Sequence, residues 1–224
     1  MNNLTLVIPA KNEKDSLPFV LEELSNFNIK TIIILEKTDI ETINSIQNFK
    51  CELVFQDAKG YGDALIKGIK NVKTEYFAIF NADGSFNPSE INDMMNKISK
   101  NNLDFLFASR YEKEAGSDDD TIITFIGNKI FTFLGNFFFK LNISDILYTF
   151  VIGSTLKAQK LNLKNKDFTF CVELPIKAKK SNFKIDKINS YERKRIAGKK
   201  KVNAFKDGFL ILIYMIKIFF RKDG

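Results

Sequence analysis

Short β-branched runs separated by helix-length amphipathic stretches fill the first half of this chain, and that alternation limits the fold more than any other feature. Leu4-Thr5-Leu6-Val7-Ile8, Thr31-Ile32-Ile33-Ile34-Leu35, Cys51-Glu52-Leu53-Val54-Phe55, Tyr76 to Phe80 and Leu103-Asp104-Phe105-Leu106-Phe107 read as five strands. Between them, Leu17, Val20, Leu21 and Leu24 share one helical stripe and Ile40, Ile43 and Ile46 another, with Asp15 or Ser16 as a cap. The expectation is α/β, a mostly parallel Rossmann-like sheet flanked by helices over residues 1 to about 110. In such sheets ligands bind beyond the carboxyl ends of the strands, so the polar residues that follow each strand are the ones to examine. With 224 residues, 45% of them hydrophobic, the chain can bury a core, and no internal repeat or low-complexity tract divides it.

After residue 110 the character changes. Glu112 to Asp120 is an acidic loop, and Thr121 to Leu141 carries six phenylalanines, predicting a helix that serves either as core or as a lipid-facing surface. Val202 to Lys222 predicts a C-terminal amphipathic helix. A bilayer span needs about 20 apolar residues, and Lys217 interrupts this run, so an interfacial helix or one paired with a partner is expected.

Histidine is absent, which excludes a Ser-His-Asp triad and histidine-ligated zinc and leaves chemistry to carboxylates, Lys, Arg or a bound ion. The net charge of +7 is unevenly distributed: residues 157 to 224 hold 19 Lys+Arg against 6 Asp+Glu, leaving 15 against 21 for residues 1 to 156. A cationic C-terminal third suits nucleotide phosphates, nucleic acid or an anionic membrane, and equally a solubilising surface. Cys51 and Cys171 lie far apart in apolar runs, as expected of reduced thiols. The opening MNNLTLVIPA has no positive leader and too short an apolar run for a signal peptide, so a cytoplasmic location is expected.

Four polar clusters fall at strand ends. Ile8-Pro9-Ala10-Lys11-Asn12-Glu13 ends the first strand and doubles as ordinary helix-capping sequence. Gly60-Tyr61-Gly62-Asp63-Ala64, with Gly68 following, opens a helix but misses the GxGxxG spacing; its glycines suit close approach to a phosphate or simply a tight turn. Asn81-Ala82-Asp83 sets two oxygen ligands on alternate residues, as a hard divalent ion held against a diphosphate requires, and reads equally as an Asx-type turn. Glu192 to Lys201, with Arg195, Gly198 and Lys201, suits phosphate oxygens; nucleic acid is the rival partner, disfavoured by the acidic N-terminal two-thirds and by the lack of a nucleic-acid motif.

Taken in order, these clusters resemble the family 2 glycosyltransferases of GT-A fold, and especially the dolichyl-phosphate mannosyltransferase-like branch. The resemblance rests on Val7-Ile8-Pro9 with Asn12-Glu13, on Gly60, Gly62 and Ala64, on Ala82 and Asp83, on Ala108-Ser109-Arg110-Tyr111, on Gly127-Asn128, on Asp145 and Phe150, on Glu173, and on Arg195, Gly198 and Lys201. It implies a GT-A domain over residues 1 to 201, with residues 202 to 224 as an interfacial helix. It also implies inverting transfer of a sugar from a nucleotide diphosphate sugar to a polyprenyl phosphate or glycan acceptor. Asp83, Arg110 and Arg195 would carry catalysis, Asp83 and Asn81 would hold Mg²⁺ or Mn²⁺, and Pro9, Ala10, Glu13, Glu36, Gly60, Asn81, Ala82 and Lys201 would line the nucleotide. A phosphate acceptor is already anionic, so the missing histidine is no obstacle, and the cationic tail would suit the cytoplasmic face of a membrane.

The chain departs from that pattern at Asn81, where a first aspartate is usual, and at Glu36-Lys37-Thr38-Asp39, where paired acids with glycine and serine are usual. Thr149 and Lys200 replace the branch's usual glycine and serine. A specialised enzyme is expected, with a catalytically weak or inactive sugar-nucleotide-binding or membrane-binding relative as the alternative.

Overall fold

The computed structural model describes residues 2–198 and 201–221. Lys200 and the expected helix end at Lys222 lie outside the described residues. The elements run β1 (Leu4–Pro9), α1 (Leu17–Ser25), β2 (Lys30–Leu35), α2 (Ile40–Ser45), β3 (Glu52–Phe55), α3 (Tyr61–Asn71), β4 (Tyr76–Ile79), α4 (Glu90–Lys100), β5 (Phe105–Ser109), β6 (Gly116–Ser117), α5 (Ile122–Phe139), β7 (Val151–Ser154), α6 (Thr155–Lys160), α7 (Phe170–Lys180), β8 (Ile185–Asn189), β9 (Tyr191–Glu192) and α8 (Ala204–Phe220).

Seven strands form one sheet in the order β3-β2-β1-β4-β7-β5-β8, with only β7 antiparallel to its neighbours, and β6 pairs with β9 in a small separate ribbon. All five expected strands are present, with ends shifted by one or two residues. The chain winds outward from β1 through β2 and β3, then returns to place β4 on the other side of β1. That reversal leaves a crevice beyond the carboxyl ends of β1 and β4. Apolar side chains on the two sheet faces build two cores, one under α3 and α7 with Phe77, Phe105 and Phe170, the other under α1 and α4 with Phe80, Phe86 and Phe150.

Two strands of the seven-stranded sheet carried no readable signal. β7 is only four residues long and includes Gly153, where an added Cβ would lie 2.4 Å from the Phe105 ring, so close packing there excludes a side chain. β8 is an edge strand whose Asp186 and Lys187 break the apolar pattern, as charge on an edge commonly does.

The expected stripe on α2 is corrected. Ile40 is exposed, Thr42 is the buried residue, and Ile46 is buried just past the end of a helix of barely two turns. Its cap is Asp39, which accepts from the Thr42 N–H at 3.4 Å and from the Asn12 N–H at 2.7 Å. Of the two expected caps of α1, Ser16 holds the N-cap position, but its hydroxyl donates to the Glu13 carboxylate at 2.6 Å rather than accepting from the first turn.

The phenylalanine-rich helix α5 starts on a Thr121–Thr124 capping box and lies beside α8, with Phe138 and Phe219 ring centroids 5.0 Å apart. Ile211, Met215 and Ile218 tie α8 into the core beneath α3 and α7. On length and composition α5 could cross a membrane, and only 17% of it is buried. Its inner face mixes the two kinds of side chain: Phe131, Leu134 and Phe139 pack on the core, while Asn128 and Thr132 are buried and bond to one another and to the chain around Asp145. A helix anchored to the protein by that face lies along the surface, and it turns Ile122 (79% exposed) and its apolar neighbours outward together with Phe205 of α8 (82%).

Candidate active site

A cavity of about 480 Å³ opens at the crevice, and the eleven residues expected to serve catalysis, the ion or the nucleotide all line it: Pro9, Ala10, Glu13, Glu36, Gly60, Asn81, Ala82, Asp83, Arg110, Arg195 and Lys201. Polar groups of the chain leaving β1 and β4 line it together with apolar side chains, among them Leu147, Phe168 and Ile211, and with Cys171. Burial pushes the Cys171 thiol up to about 12, which keeps it in the protonated, poorly nucleophilic form.

Part of the polar lining is built on the turn after β4. Asp83 accepts at Oδ1 from the Ser85 N–H (3.1 Å) and hydroxyl (2.7 Å), and Asn81 donates its amide nitrogen to the same hydroxyl at 3.3 Å. Ser85, itself buried, therefore fixes both of the expected ligand side chains. Oδ2 of Asp83 faces Arg195 Nη1 at 3.3 Å. Arg195 also forks Asp119, through Nε at 3.1 Å and Nη2 at 2.8 Å. Burial pulls the Arg195 guanidinium pKa down, but Asp119 and Asp83 more than offset it, leaving the charge secure.

Glu13 receives the Ser16 hydroxyl on one oxygen and pairs with the Lys201 ammonium on the other; Lys201 also donates to the Lys11 carbonyl. Glu36 lines the cavity and pairs with Lys11 at 3.2 Å, whereas Asp39 is committed to capping α2. Of the two acids after β2, only Glu36 is positioned to meet a ligand.

Deeper in, Arg110 donates through Nε (2.7 Å) and Nη2 (3.0 Å) to Asp145 and through Nη1 (3.0 Å) to Glu192. Burial opposes the charge on Arg110, but Asp145 and Glu192 raise its pKa well above the ordinary value. Asp145 also accepts from the Arg110 N–H and from Asn128, so this carboxylate anchors β5, α5 and the chain before β7 to one another. Tyr111 donates to Asp120, and burial raises the phenol well above its usual range.

Packing by itself requires the two glycines opening α3, of which Gly60 also lines the cavity. An added Cβ would lie 2.0 Å from the Lys166 carbonyl at Gly60 and 2.1 Å from the Asn165 carbonyl at Gly62, and Gly60 holds φ +124°. The loop they admit is held by buried Glu173, which accepts from the Lys164 and Asn165 N–H groups. Asp119, Asp120 and Thr124 also reach the cavity; the acidic run Glu112 to Asp120 was the available signal for the first two, but nothing in it marked which acids turn inward. Gln56, donating to the Ala58 and Gly60 carbonyls beside the cavity, had no signal at all.

Among known proteins, the sequence profile of Glycosyl transferase family 2 matches residues 5–161. An uncharacterized glycosyltransferase of Mycobacterium tuberculosis is 25% identical over 97 residues, 43% of this chain and 44% of the relative. The low-salt glycan biosynthesis hexosyltransferase of Haloferax volcanii is 24% identical over 148 residues, 63% of this chain and 36% of the relative. The chain thus matches less than half the length of these relatives. Glucosyl-3-phosphoglycerate synthase from M. tuberculosis, crystallised with Mn²⁺, UDP and glucosyl-3-phosphoglycerate, superposes with a TM-score of 0.76 at 10% identity, covering 97% of this chain and 80% of that one. Mannosyl-3-phosphoglycerate synthase from Rubrobacter xylanophilus gives 0.68 at 13%, covering 100% and 78%. At such identities these two matches establish the GT-A fold alone. With the profile spanning more than half of the sequence, the chain belongs to glycosyl transferase family 2.

Proposed function

We propose that this protein transfers a sugar, with inversion, from a nucleotide diphosphate sugar to the phosphate of a polyprenyl carrier at a membrane surface. The observation that carries the reading is the position of Asp83, just beyond the carboxyl end of β4 in a cavity lined by both polar and apolar side chains. Glu36 and the strand-one end, Pro9 to Glu13, would hold the nucleoside. Arg195 and Lys201 would meet phosphate oxygens, as planar and point cations do. Arg110, already paired with two carboxylates, would act by shaping the acceptor end and setting its charge.

The donor set suits a divalent ion that shares the diphosphate. One carboxylate and one neutral amide cannot form an all-protein cage, and no group of three or more acidic or cysteine side chains among the described residues could. Mg²⁺ and Mn²⁺ held by a single carboxylate complete their shells with phosphate and water oxygens. Asp83 and Asn81 would hold it, and when bound the ion supplies charge neutralisation to the departing diphosphate. The structural relatives crystallised with Mn²⁺ or Mg²⁺ and UDP support this assignment.

The chemistry needs no general base. An oxygen of the acceptor phosphate attacks the anomeric carbon from the face opposite the nucleotide. The bond from that carbon to the diphosphate oxygen breaks, and the diphosphate leaves with the electron pair. A lipid acceptor is favoured over a soluble one by the outward apolar side chains of α5 and α8, since Lys129, Lys140, Lys206, Lys217 and Arg221 are exposed on or at the ends of the same two helices. Such a face suits the headgroup boundary of an anionic membrane, and the proposed site of action is peripheral, on the cytoplasmic side.

The test is transfer of radiolabelled sugar from a panel of UDP- and GDP-sugars, with Mn²⁺, to vesicles carrying polyprenyl phosphate, with 3-phosphoglycerate as the soluble competitor. Label in the lipid phase is expected; label only in the soluble product would refute the lipid assignment, and no label in either would refute transfer. The neutral Asn81 favours one other reading, a sugar-nucleotide-binding relative without turnover, which predicts nucleotide binding but no labelled product.

A further inference from the structure

The segment that follows β9 lies directly on the turn expected to hold the ion. Arg193 donates its N–H to the Ser85 carbonyl and Ile196 donates its N–H to the Asp83 carbonyl, each at 2.8 Å. The Ile196 side chain covers Gly84, which has φ +81° and where an added Cβ would fall 2.5 Å from Ile196 Cδ1. Between these two anchors, Arg195 is directed inward and placed between Asp83 and Asp119. Both oxygens of Asp83 are thereby engaged, Oδ1 by Ser85 and Oδ2 by the guanidinium.

We infer that Arg195 is an internal cation standing in for the metal at Asp83, so that the chain takes up a divalent ion only together with a diphosphate. The inference rests on the proposed role of Asp83 as an ion ligand. An ion arriving alone at Oδ2 meets a fixed positive charge at ion-pair distance and finds one carboxylate where Asn81 contributes no second charge. An ion arriving with a nucleoside diphosphate brings anionic oxygens that attract the same guanidinium, so the contact that excludes the free ion becomes one that binds the complex. Arg195 keeps its fork to Asp119 as the pivot for that change of partner, and Ser85 keeps the Asp83 carboxylate in place meanwhile. The metal–nucleotide complex is then the true donor-side substrate, and Arg195 is a positioning residue that enforces it.

The experiment is a titration of Mn²⁺ alone, read by loss of the free-ion electron paramagnetic resonance signal, so that it needs no turnover. Arg195→Gln removes the cation that faces Asp83 Oδ2 and is expected to bind Mn²⁺ at least tenfold more tightly than the unaltered chain. Adding Asp83→Asn to it should abolish that gain. Arg195→Lys, which cannot fork Asp119 and reach Asp83 together, is expected to gain at least threefold and serves if the glutamine variant melts early. Mn²⁺ affinity within twofold of the unaltered chain in a folded variant overturns the inference, as does tight binding of Mn²⁺ alone by the unaltered chain. Failure of UDP and GDP to bind with Mn²⁺ would instead overturn the proposed function, and the Arg195→Gln comparison would still decide this point.

Discussion

Replacing Asp145 with asparagine keeps the shape of the side chain and removes the charge at the centre of the buried network. Each oxygen of Asp145 accepts from two donors: Oδ1 from Arg110 Nη2 and Asn128 Nδ2, Oδ2 from the Arg110 N–H and Nε. An asparagine must therefore turn its own amide hydrogens toward two donors whichever way it is rotated. Breaking one member of a buried ion pair costs about 3–5 kcal/mol, because the remaining charge is left uncompensated. Here Glu192 stays 3.0 Å from Arg110 Nη1 and retains part of the compensation, which places the expected loss near the lower bound, about 3 kcal/mol. For a domain of this size that is roughly 6–12 °C in Tm, at about 2–4 °C per kcal/mol. Urea unfolding followed by circular dichroism reads it as a lower midpoint with an unchanged slope. Asp186→Asn, which breaks the partly exposed pair with Lys97, is the control and should lose under about 1 kcal/mol. A loss at Asp145 no larger than the control's would refute the claim that this carboxylate anchors the site.

Three further outcomes follow from the same geometry. Cys171 holds its proton up to about 12, so the native state gains from the protonated thiol below the ordinary value near 9, and that gain is lost as pH rises through 12. Iodoacetamide at pH 9 should alkylate Cys51 faster than Cys171 in the native protein and both alike in urea; equal native rates would contradict the raised Cys171 thiol. Gly62→Ala drives a Cβ into the Asn165 and Asp167 carbonyls and should cost about 1–3 kcal/mol, whereas Gly127→Ala in α5, with nothing within 4 Å, should gain up to about 1 kcal/mol; thermal melting distinguishes them. Phe137→Ser with Phe209→Ser, at side chains 67% and 63% exposed, should reduce sedimentation with anionic vesicles at least tenfold while stability changes by less than about 1 kcal/mol, and unchanged sedimentation would refute a lipid-facing surface.

The sheet was legible where its strands are apolar on both faces, as in β1, β2 and β4, because runs such as Thr31 to Leu35 have few other fates. It was not legible where a ring from a neighbouring strand takes the place of a side chain, at Gly153, or where an edge strand carries charge, at Asp186 and Lys187. The site was legible as a set of strand ends, since topology alone brings the termini of β1 and β4 to one crevice. What each member does there depends on partners distant in sequence. Arg110 reads as a free phosphate ligand until Asp145 and Glu192 are seen on either side of it, and the packing need for Gly60 is hidden until the Lys166 carbonyl is found against it. Asp119, in a run of acids, became distinguishable from its neighbours only through the fork from Arg195.

The central claim is that Asp83 holds a divalent ion against a nucleoside diphosphate, and thermal unfolding with UDP or GDP in the presence and absence of Mn²⁺ tests it most directly. Ligand at 100 times its Kd adds about 2.7 kcal/mol to the native state, which is roughly 5–11 °C for a domain of this size. The account predicts a shift of that order with one of the two nucleotides plus Mn²⁺, a much smaller one with either component alone, and no contribution from Mn²⁺ in the Asp83→Ala protein. A manganese-dependent shift that survives Asp83→Ala, or no shift with either nucleotide, would contradict it.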